Sequence, residues 1–313
     1  MKSVQLQQYS KSFETLQLNN QTPSPVLKPG QLLIENHAAS VNPFDIKLAS
    51  GIYKNMMPIQ LPAILGGDFA GVVTQVGEGA TIHVGDEVYG SANILSGGSG
   101  TFAEVVAANE KNIAQKPTSV SFTDAAAVVL TGVSAIQALE EHIKLQSGQK
   151  ILIHGGAGGI GSVAIQLAKA IGAHVATTVS TDDKEFVSQL NADEIIDYKT
   201  EKFEDKVKEY DAVYDTVGGE TAERSVAVLK QGGILVSMLG EVKSDAIKEK
   251  GITVIGQNTH VTTAHLNRLS QLLESNQIKP QIEKRLPLDQ LSEAFAIVQN
   301  IHHRGKVVIT IKE

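Results

Sequence analysis

The sequence predicts an α/β chain of two domains, a small β-rich barrel followed by a doubly wound domain on a parallel sheet. Three observations predict it. The chain has 313 residues, more than a single domain usually holds. Residues 151–172, ILIHGGAGGIGSVAIQLAKAIG, run from an apolar strand through a glycine-rich turn into a helix. The middle third then alternates strand and helix, whereas the first ~120 residues hold short strands punctuated by glycine.

In the front part, residues 31–40 alternate and read as a strand. A second strand at 69–76 meets the turn 77–79, and 85–90 follows. Ser96-Gly-Gly-Ser-Gly100 reads as a surface loop. After the glycine-rich turn come strands at 174–180, 194–198, 212–217, 233–239 and 252–256, with helices at 183–190 and 220–229. Strands separated by helices build a parallel sheet covered on both faces. The tail gives helices near 262–274 and 288–299 and a strand at 306–311.

Hydrophobic residues make up 42% of the chain and charged residues 19%, the balance of a globular protein with an adequate core. A net charge of −7 does not suggest a nucleic-acid or anionic-membrane surface. There are no cysteines, so disulfides, iron–sulfur clusters and thiolate-zinc sites are excluded. The opening MKSVQLQQYSKSFETL lacks an apolar signal core, and no stretch is expected to reach the ~20 apolar residues of a membrane span. The expectation is a cytoplasmic enzyme with neither nucleic-acid nor membrane partners.

Gly156-x-Gly158-x-x-Gly161 fits the dinucleotide pattern, and it follows a strand and opens a helix. A pyrophosphate needs main-chain N–H groups it can approach closely and the positive end of a helix. The alternative is a glycine-rich turn that binds nothing.

Asn42-Pro-Phe-Asp45, Leu65-Gly-Gly-Asp-Phe-Ala-Gly71, Gly85-Asp-Glu-Val88, Leu130-Thr-Gly132, the glycine-rich turn and Gly305-Lys-Val-Val308 occur in this order along the whole chain. In this the chain resembles the medium-chain dehydrogenase/reductase superfamily, and most of all its zinc-free quinone oxidoreductase and enone reductase branch. The resemblance implies a GroES-like β-barrel catalytic domain over 1–120, a Rossmann dinucleotide-binding domain over 121–258, and a segment 259–313 that returns to the barrel. It also implies an active site in the cleft between domains and a homodimer.

Zinc alcohol dehydrogenases of the superfamily carry a catalytic cysteine where this chain has Asn42, and Gly-His-Glu where it has Gly66-Gly67-Asp68. Two expected ligands are thus asparagine and glycine, too few of the right softness for a catalytic zinc. Asp68 alone is a weak candidate. The adjacent His302-His303 reads as a solvated loop pair. No metal is expected.

NAD-binding Rossmann folds place an acid at the end of the second strand to take the ribose 2′-OH. Here that strand ends Val179-Ser180-Thr181. Ser180 is a donor and Lys184 can pair with a 2′-phosphate, so NADPH is expected over NADH. Lys184 as a solvated helix lysine is the alternative. Asp182 and Asp183 are expected to cap the next helix. The resemblance adds Ala157, Gly158, Gly159 and Ile160 at the pyrophosphate, Tyr198 near the adenosine, Thr131 near the nicotinamide ribose, and Leu239 and Gly240 bordering the nicotinamide.

Without zinc the hydride acceptor must already be electrophilic, as a quinone or an α,β-unsaturated carbonyl is. Negative charge then grows on the carbonyl oxygen, where a preorganised donor stabilises it. Asn42, Lys47 and Tyr53 lie on the matching loop and are candidate donors. Lys47 can stabilise an enolate or deliver a proton, and Asn-Pro-x-Asp-x-Lys is closer to the enone reductases. Asp45 is expected to order the loop, and Asn42, as the alternative to a donor, to tie the loop to the cofactor. Residues 52–61, with Met56-Met57, and the loop 91–100 are expected to size the acceptor pocket. The competing reading is a non-catalytic NADPH-binding structural or regulatory protein of the same fold.

Overall fold

The computed structural model describes residues 1–300 and 303–312. His302 of the histidine pair lies outside the described residues. The chain divides into two units, the first Met1–Leu130, Val261–Glu274 and Pro280–Glu313, the second Thr131–His260 and Ser275–Lys279.

The first unit opens with β1 (Ser3–Leu6), β2 (Leu16–Asn19) and β3 (Gln31–Ser40). Asn42 then starts a short helix, α1 (Pro43–Ala49), where Pro43 at the first turn is preset for helical φ. After β4 (Ala63–Ile64) come β5 (Asp68–Val76), β6 (Glu87–Ser91), β7 (Val105–Asn109) and β8 (Ile113–Gln115). β3 is the spine: it pairs antiparallel with β5 and β7, and β6 and β8 extend the sheet beyond β5. Gly71 lets the β3–β5 pair close, because a Cβ there would stand 2.1 Å from the Glu35 carbonyl oxygen. β1 pairs with β2 and β4 in a separate small sheet.

A long helix, α2 (Phe122–Ile136), continues through a wider final turn at 137–142. Phe122–His142 is long and apolar enough to cross a membrane by length and composition, which corrects the sequence expectation that no such stretch exists. Its apolar window is 78% buried inside the protein, which is how a core helix behaves.

The second unit follows with β9 (Lys150–His154), α3 (Gly159–Ile171), β10 (His174–Val179), α4 (Lys184–Ser188), β11 (Glu194–Asp197), α5 (Phe203–Lys206) and β12 (Tyr210–Asp215). It continues with α6 (Glu220–Ser225), β13 (Leu229–Ser237), α7 (Ala246–Glu249) and β14 (Thr253–Gly256). Among the described residues these strands form a 6-stranded sheet in the order β11-β10-β9-β12-β13-β14, parallel throughout. The order reverses between β9 and β12, and the carboxyl ends of strands at such a reversal are where a doubly wound fold takes its ligand.

Two spans differ from expectation here. The 220–229 helix stops earlier, and Leu229 already belongs to β13, which runs through Gly232 (φ 73°). The pairing shifts register between Tyr210 and Ala212, so the glycine lies within the strand as an irregularity rather than before it. The 212–217 strand ends at Asp215, whose carboxylate accepts from the N–H groups of Val217 and Gly218 and turns the chain.

The chain then returns to the first unit with α8 (Thr263–Glu274), β15 (Ile282–Pro287), α9 (Leu291–Asn300) and β16 (Lys306–Thr310). β16 pairs antiparallel with the end of β3, Val308 opposite Ser40, and parallel with β15. Phe295 of α9 packs edge-on to Phe13 and Phe102, closing the core beneath α1.

Candidate functional site

In the second unit, β9 ends at His154 and the chain turns through 155–158. Gly155 takes φ 72°, and a Cβ on it would meet the Thr216 hydroxyl at 2.7 Å. Gly156 packs on Thr177, and Gly161 on the carbonyl of Gly155, where a Cβ would stand 2.1 Å away. Gly158 is different: a Cβ there meets nothing closer than 3.4 Å, so its bareness is not required by internal packing. It is the N-cap of α3 and makes no side-chain cap. The first N–H groups of a 13-residue helix therefore end in glycine main chain beside open space, an arrangement that fits a diphosphate.

The turn has a polar support that sequence reading missed. His154 is fully buried, with Nδ1 2.9 Å from Thr178 Oγ1 and Nε2 2.8 Å from Ser225 Oγ. Ser225 donates its own proton to the Thr221 carbonyl at 2.6 Å. Nε2 of His154 is therefore the donor, and Nδ1 accepts from Thr178. Thr178 also accepts, through its carbonyl, from the Gly156 N–H at 3.2 Å. Burial pushes the imidazole pKa down to about 4, with Arg224 adding to the effect against the opposing pull of Asp215 and Glu204. The ring is neutral at neutral pH.

At the end of β10, Ser180 is buried and donates to Asp183 Oδ2 at 2.7 Å. Asp183 makes no side-chain cap to α4, in contrast to the capping expected of it. Lys184 lies half-exposed, its ammonium 3.7 Å from Asp197 and 3.9 Å from Glu201. Tyr198 is exposed at the end of β11. Thr131 is buried on α2. Leu239 is exposed and packs beside Gly218, and Gly240 takes φ 105°. A cavity of about 540 Å³ lies at this end of β13 and β14, lined by Met238, Gly240, Glu241, Gly256 and Gln257 among others.

In the first unit, Asn42, Lys47 and Tyr53 fall on one short segment, α1 and the turns after it. Ring stacking of Phe44 on Tyr53, with centroids 5.9 Å apart, ties the turn back to the helix. Lys47 and Tyr53 are half-buried. Among the described residues neither the Lys47 ammonium nor the Tyr53 hydroxyl has a hydrogen-bond or ion-pair partner. Asn42 is otherwise. It is 3% exposed, its amide N–H donates to Asp68 Oδ2 at 2.8 Å, and its Oδ1 accepts from Lys306. The structure therefore makes Asn42 a tie within the protein, to Asp68 and Lys306, rather than a presented donor or a tie to the cofactor.

Around Asn42 lies a buried ionic cluster. Lys306 also donates to the Val41 carbonyl at 2.7 Å. Ser40 donates to Asp68 at 2.9 Å, and Asp45 accepts the Asn42 N–H at 2.9 Å. Burial raises the Asp45 pKa to about 7 against N–H donors from Asn42 and Gly66, with Asp68 adding to the rise. Burial likewise raises the Asp68 pKa and lowers that of Lys306, each opposed by the other's charge.

These residues do not fit a catalytic zinc. The two positions where zinc relatives carry Cys and Glu hold an amide and a carboxylate already hydrogen-bonded to each other, with an ammonium on the amide. Among the described residues no group of three or more His, Cys, Asp or Glu is gathered for a metal.

The alcohol dehydrogenase GroES-like domain family matches residues 28–118, and a family described as zinc-binding dehydrogenase matches residues 190–309. The chain is 38% identical over 307 residues to 2-methylene-furan-3-one reductase of Solanum lycopersicum, covering 95% of this chain and 76% of that one. It is 35% identical over 308 residues to a chloroplastic NADPH-dependent alkenal/one oxidoreductase of Arabidopsis thaliana, with the same coverage. Its fold superposes on the quinone oxidoreductase from Coxiella burnetii with a TM-score of 0.90 at 33% identity, over 100% of this chain and 99% of that one. The chain belongs to the medium-chain dehydrogenase/reductase superfamily, in its quinone and enone oxidoreductase branch, and is an oxidoreductase with a GroES-like and a Rossmann domain.

Proposed function

We propose that the chain reduces a small α,β-unsaturated carbonyl compound with NADPH and without a metal. The observation that carries this reading is the bare, uncapped start of α3 at the point where the strand order reverses. The relatives at 38% and 35% identity are named for a methylene-furanone and for alkenals and alkenones, which favours an enone over a quinone.

The main chain at Gly158, Gly159 and Ile160 holds the diphosphate, and Tyr198 lies toward the adenosine. Lys184 exchanges its two carboxylate neighbours for the 2′-phosphate, a dianion it pairs with more strongly. Bound NADPH supplies the hydride. Lys47 and Tyr53 donate to the carbonyl oxygen as negative charge grows there, and Lys47 is the group able to supply a proton. Asp45 and Asn42 hold the segment that presents both.

Steady-state oxidation of NADPH by a short alkenal, a cyclic enone and a benzoquinone tests the proposal, with NADH in parallel. Expected are turnover of the enones and a preference for NADPH. Folded protein that binds NADPH but reduces none of them would instead be the non-catalytic module. Lys47→Met is expected to lower kcat by roughly 10²-fold, the scale of one lost charge-stabilising donor, and Tyr53→Phe by less. We also propose a homodimer in the cytoplasm. Light scattering giving one chain mass, 33.3 kDa, at assay concentration would refute the dimer.

A further inference from the structure

We propose that Lys306 is a positioning residue for the reduction: its buried ammonium fixes the point where the chain leaves β3 and enters the helix that carries Lys47 and leads to Tyr53. The proposal rests on the reading of Lys47 and Tyr53 as donors to the acceptor.

Lys306 lies 264 residues along the chain from Asn42 and is 6% exposed. It reaches the loop only because β16 pairs with the end of β3. Its ammonium holds two consecutive residues, Val41 by the carbonyl and Asn42 by Oδ1. Asn42 in turn donates to Asp68 on β5, and its N–H donates to Asp45 inside α1. One cation thus links the closing strand, two barrel strands and the first turn of α1.

Stability alone does not call for this arrangement. Apolar side chains of similar volume fill such a space without desolvating three charges. What a charged, hydrogen-bonded contact supplies that an apolar one does not is a fixed direction. α1 has 7 residues, so the placement of its start sets the placement of Lys47. The Phe44–Tyr53 stack passes the same shift to Tyr53.

The test uses the full chain. Lys306→Met alone leaves two buried carboxylates uncompensated and risks unfolding, so the main variant is Lys306→Met with Asp68→Asn, which removes one charge of each sign. Lys306→Arg is the conservative partner. Expected for the double variant are native circular dichroism, an NADPH Kd within about twofold of wild type, and a kcat for the enone reduced by about tenfold or more. Lys306→Arg is expected to keep kcat above the double variant. Amide exchange over 41–57 is expected to quicken in the double variant while peptides of 150–171 stay unchanged.

Wild-type kcat in a folded double variant would overturn the proposal. So would lost activity with unchanged exchange over 41–57, because the loss would then come by another route. If the wild-type chain itself reduces no acceptor, the functional reading fails while the exchange result still decides whether Lys306 places this segment.

Discussion

Replacing His154 with glutamine should flatten the acid side of the stability profile. The imidazole is fully buried and its pKa lies at about 4 in the folded protein, against 6.5 when exposed. Below pH 6.5 the unfolded chain takes up a proton that the folded chain refuses until about pH 4, so stability falls as pH falls through that window. Every tenfold difference in proton affinity between the folded and unfolded chain corresponds to about 1.36 kcal/mol. The loss amounts to about 2 kcal/mol between pH 7 and pH 5, and about 3 kcal/mol by pH 4. Asp45 works in the other sense. Its folded carboxyl keeps a proton up to about pH 7, whereas the unfolded one releases it near 3.8, so its contribution weakens the fold as pH rises. The wild-type curve mixes the two, and the difference between wild type and His154→Gln isolates the histidine. Urea unfolding followed by far-UV circular dichroism from pH 7 to pH 5 measures it. The variant starts about 1–3 kcal/mol less stable, from imperfectly paired Thr178 and Ser225. The gap between the two proteins should then shrink by about 2 kcal/mol on acidification. A gap that stays constant within about 0.5 kcal/mol would refute the reasoning.

Further outcomes follow from the site. Gly158→Ala should leave the fold intact, since a Cβ there meets nothing nearer than 3.4 Å, yet weaken NADPH binding measured by calorimetry. Gly161→Ala should do the reverse in kind, lowering the melting temperature, because its Cβ would stand 2.1 Å from the Gly155 carbonyl oxygen. Lys184→Ala should reduce the NADPH-over-NADH preference in kcat/KM by roughly tenfold, the scale of one exposed charge-assisted bond to phosphate, and an unchanged ratio would return Lys184 to the role of surface cation. An alkenal should be reduced at least about 10²-fold faster than the saturated aldehyde of equal length, because the proposed acceptor-side donors are Lys47 and Tyr53, with no metal to polarise an isolated carbonyl. Equal rates would show that the acceptor carbonyl is polarised by something else.

Much of the second unit is legible in the sequence because its signals are local. The apolar strand, the glycines and the helix that follow one another over 151–171 specify a turn whatever the rest of the chain does. Even there the glycines divide differently from their spacing: Gly155, outside the pattern, takes the positive φ, while Gly156 and Gly161 serve packing. Phe122–His142 does not read as one long apolar helix, since Thr131, Ser134 and Gln137 interrupt its run while the structure buries all three. The early end of α6 is hidden for the opposite reason. Gly232 and Gly233 read as a break before the strand, and the register shift against the parallel neighbour β12 absorbs them within it.

The proposed acceptor side shows why spacing alone falls short. Asn42, Asp45, Lys47 and Tyr53 are close in sequence and can be grouped by chemistry, but their environments cannot be read that way. Whether an asparagine faces a substrate or a buried ammonium depends on β16, which reaches it from the far end of the chain. In the sequence, Lys306 of the Gly305-Lys-Val-Val308 motif is a marker of kinship with no chemistry attached. Its meaning comes from Asp45 and Asp68. Two carboxylates cannot be buried side by side without a compensating charge or a shared proton. The lysine supplies the charge, and burial still raises the Asp45 pKa to about 7, with Asp68 adding to the rise and Lys306 opposing it. A chain that fixes the start of α1 in this way carries its cation covalently, so the loop's geometry does not depend on capturing an ion from solution.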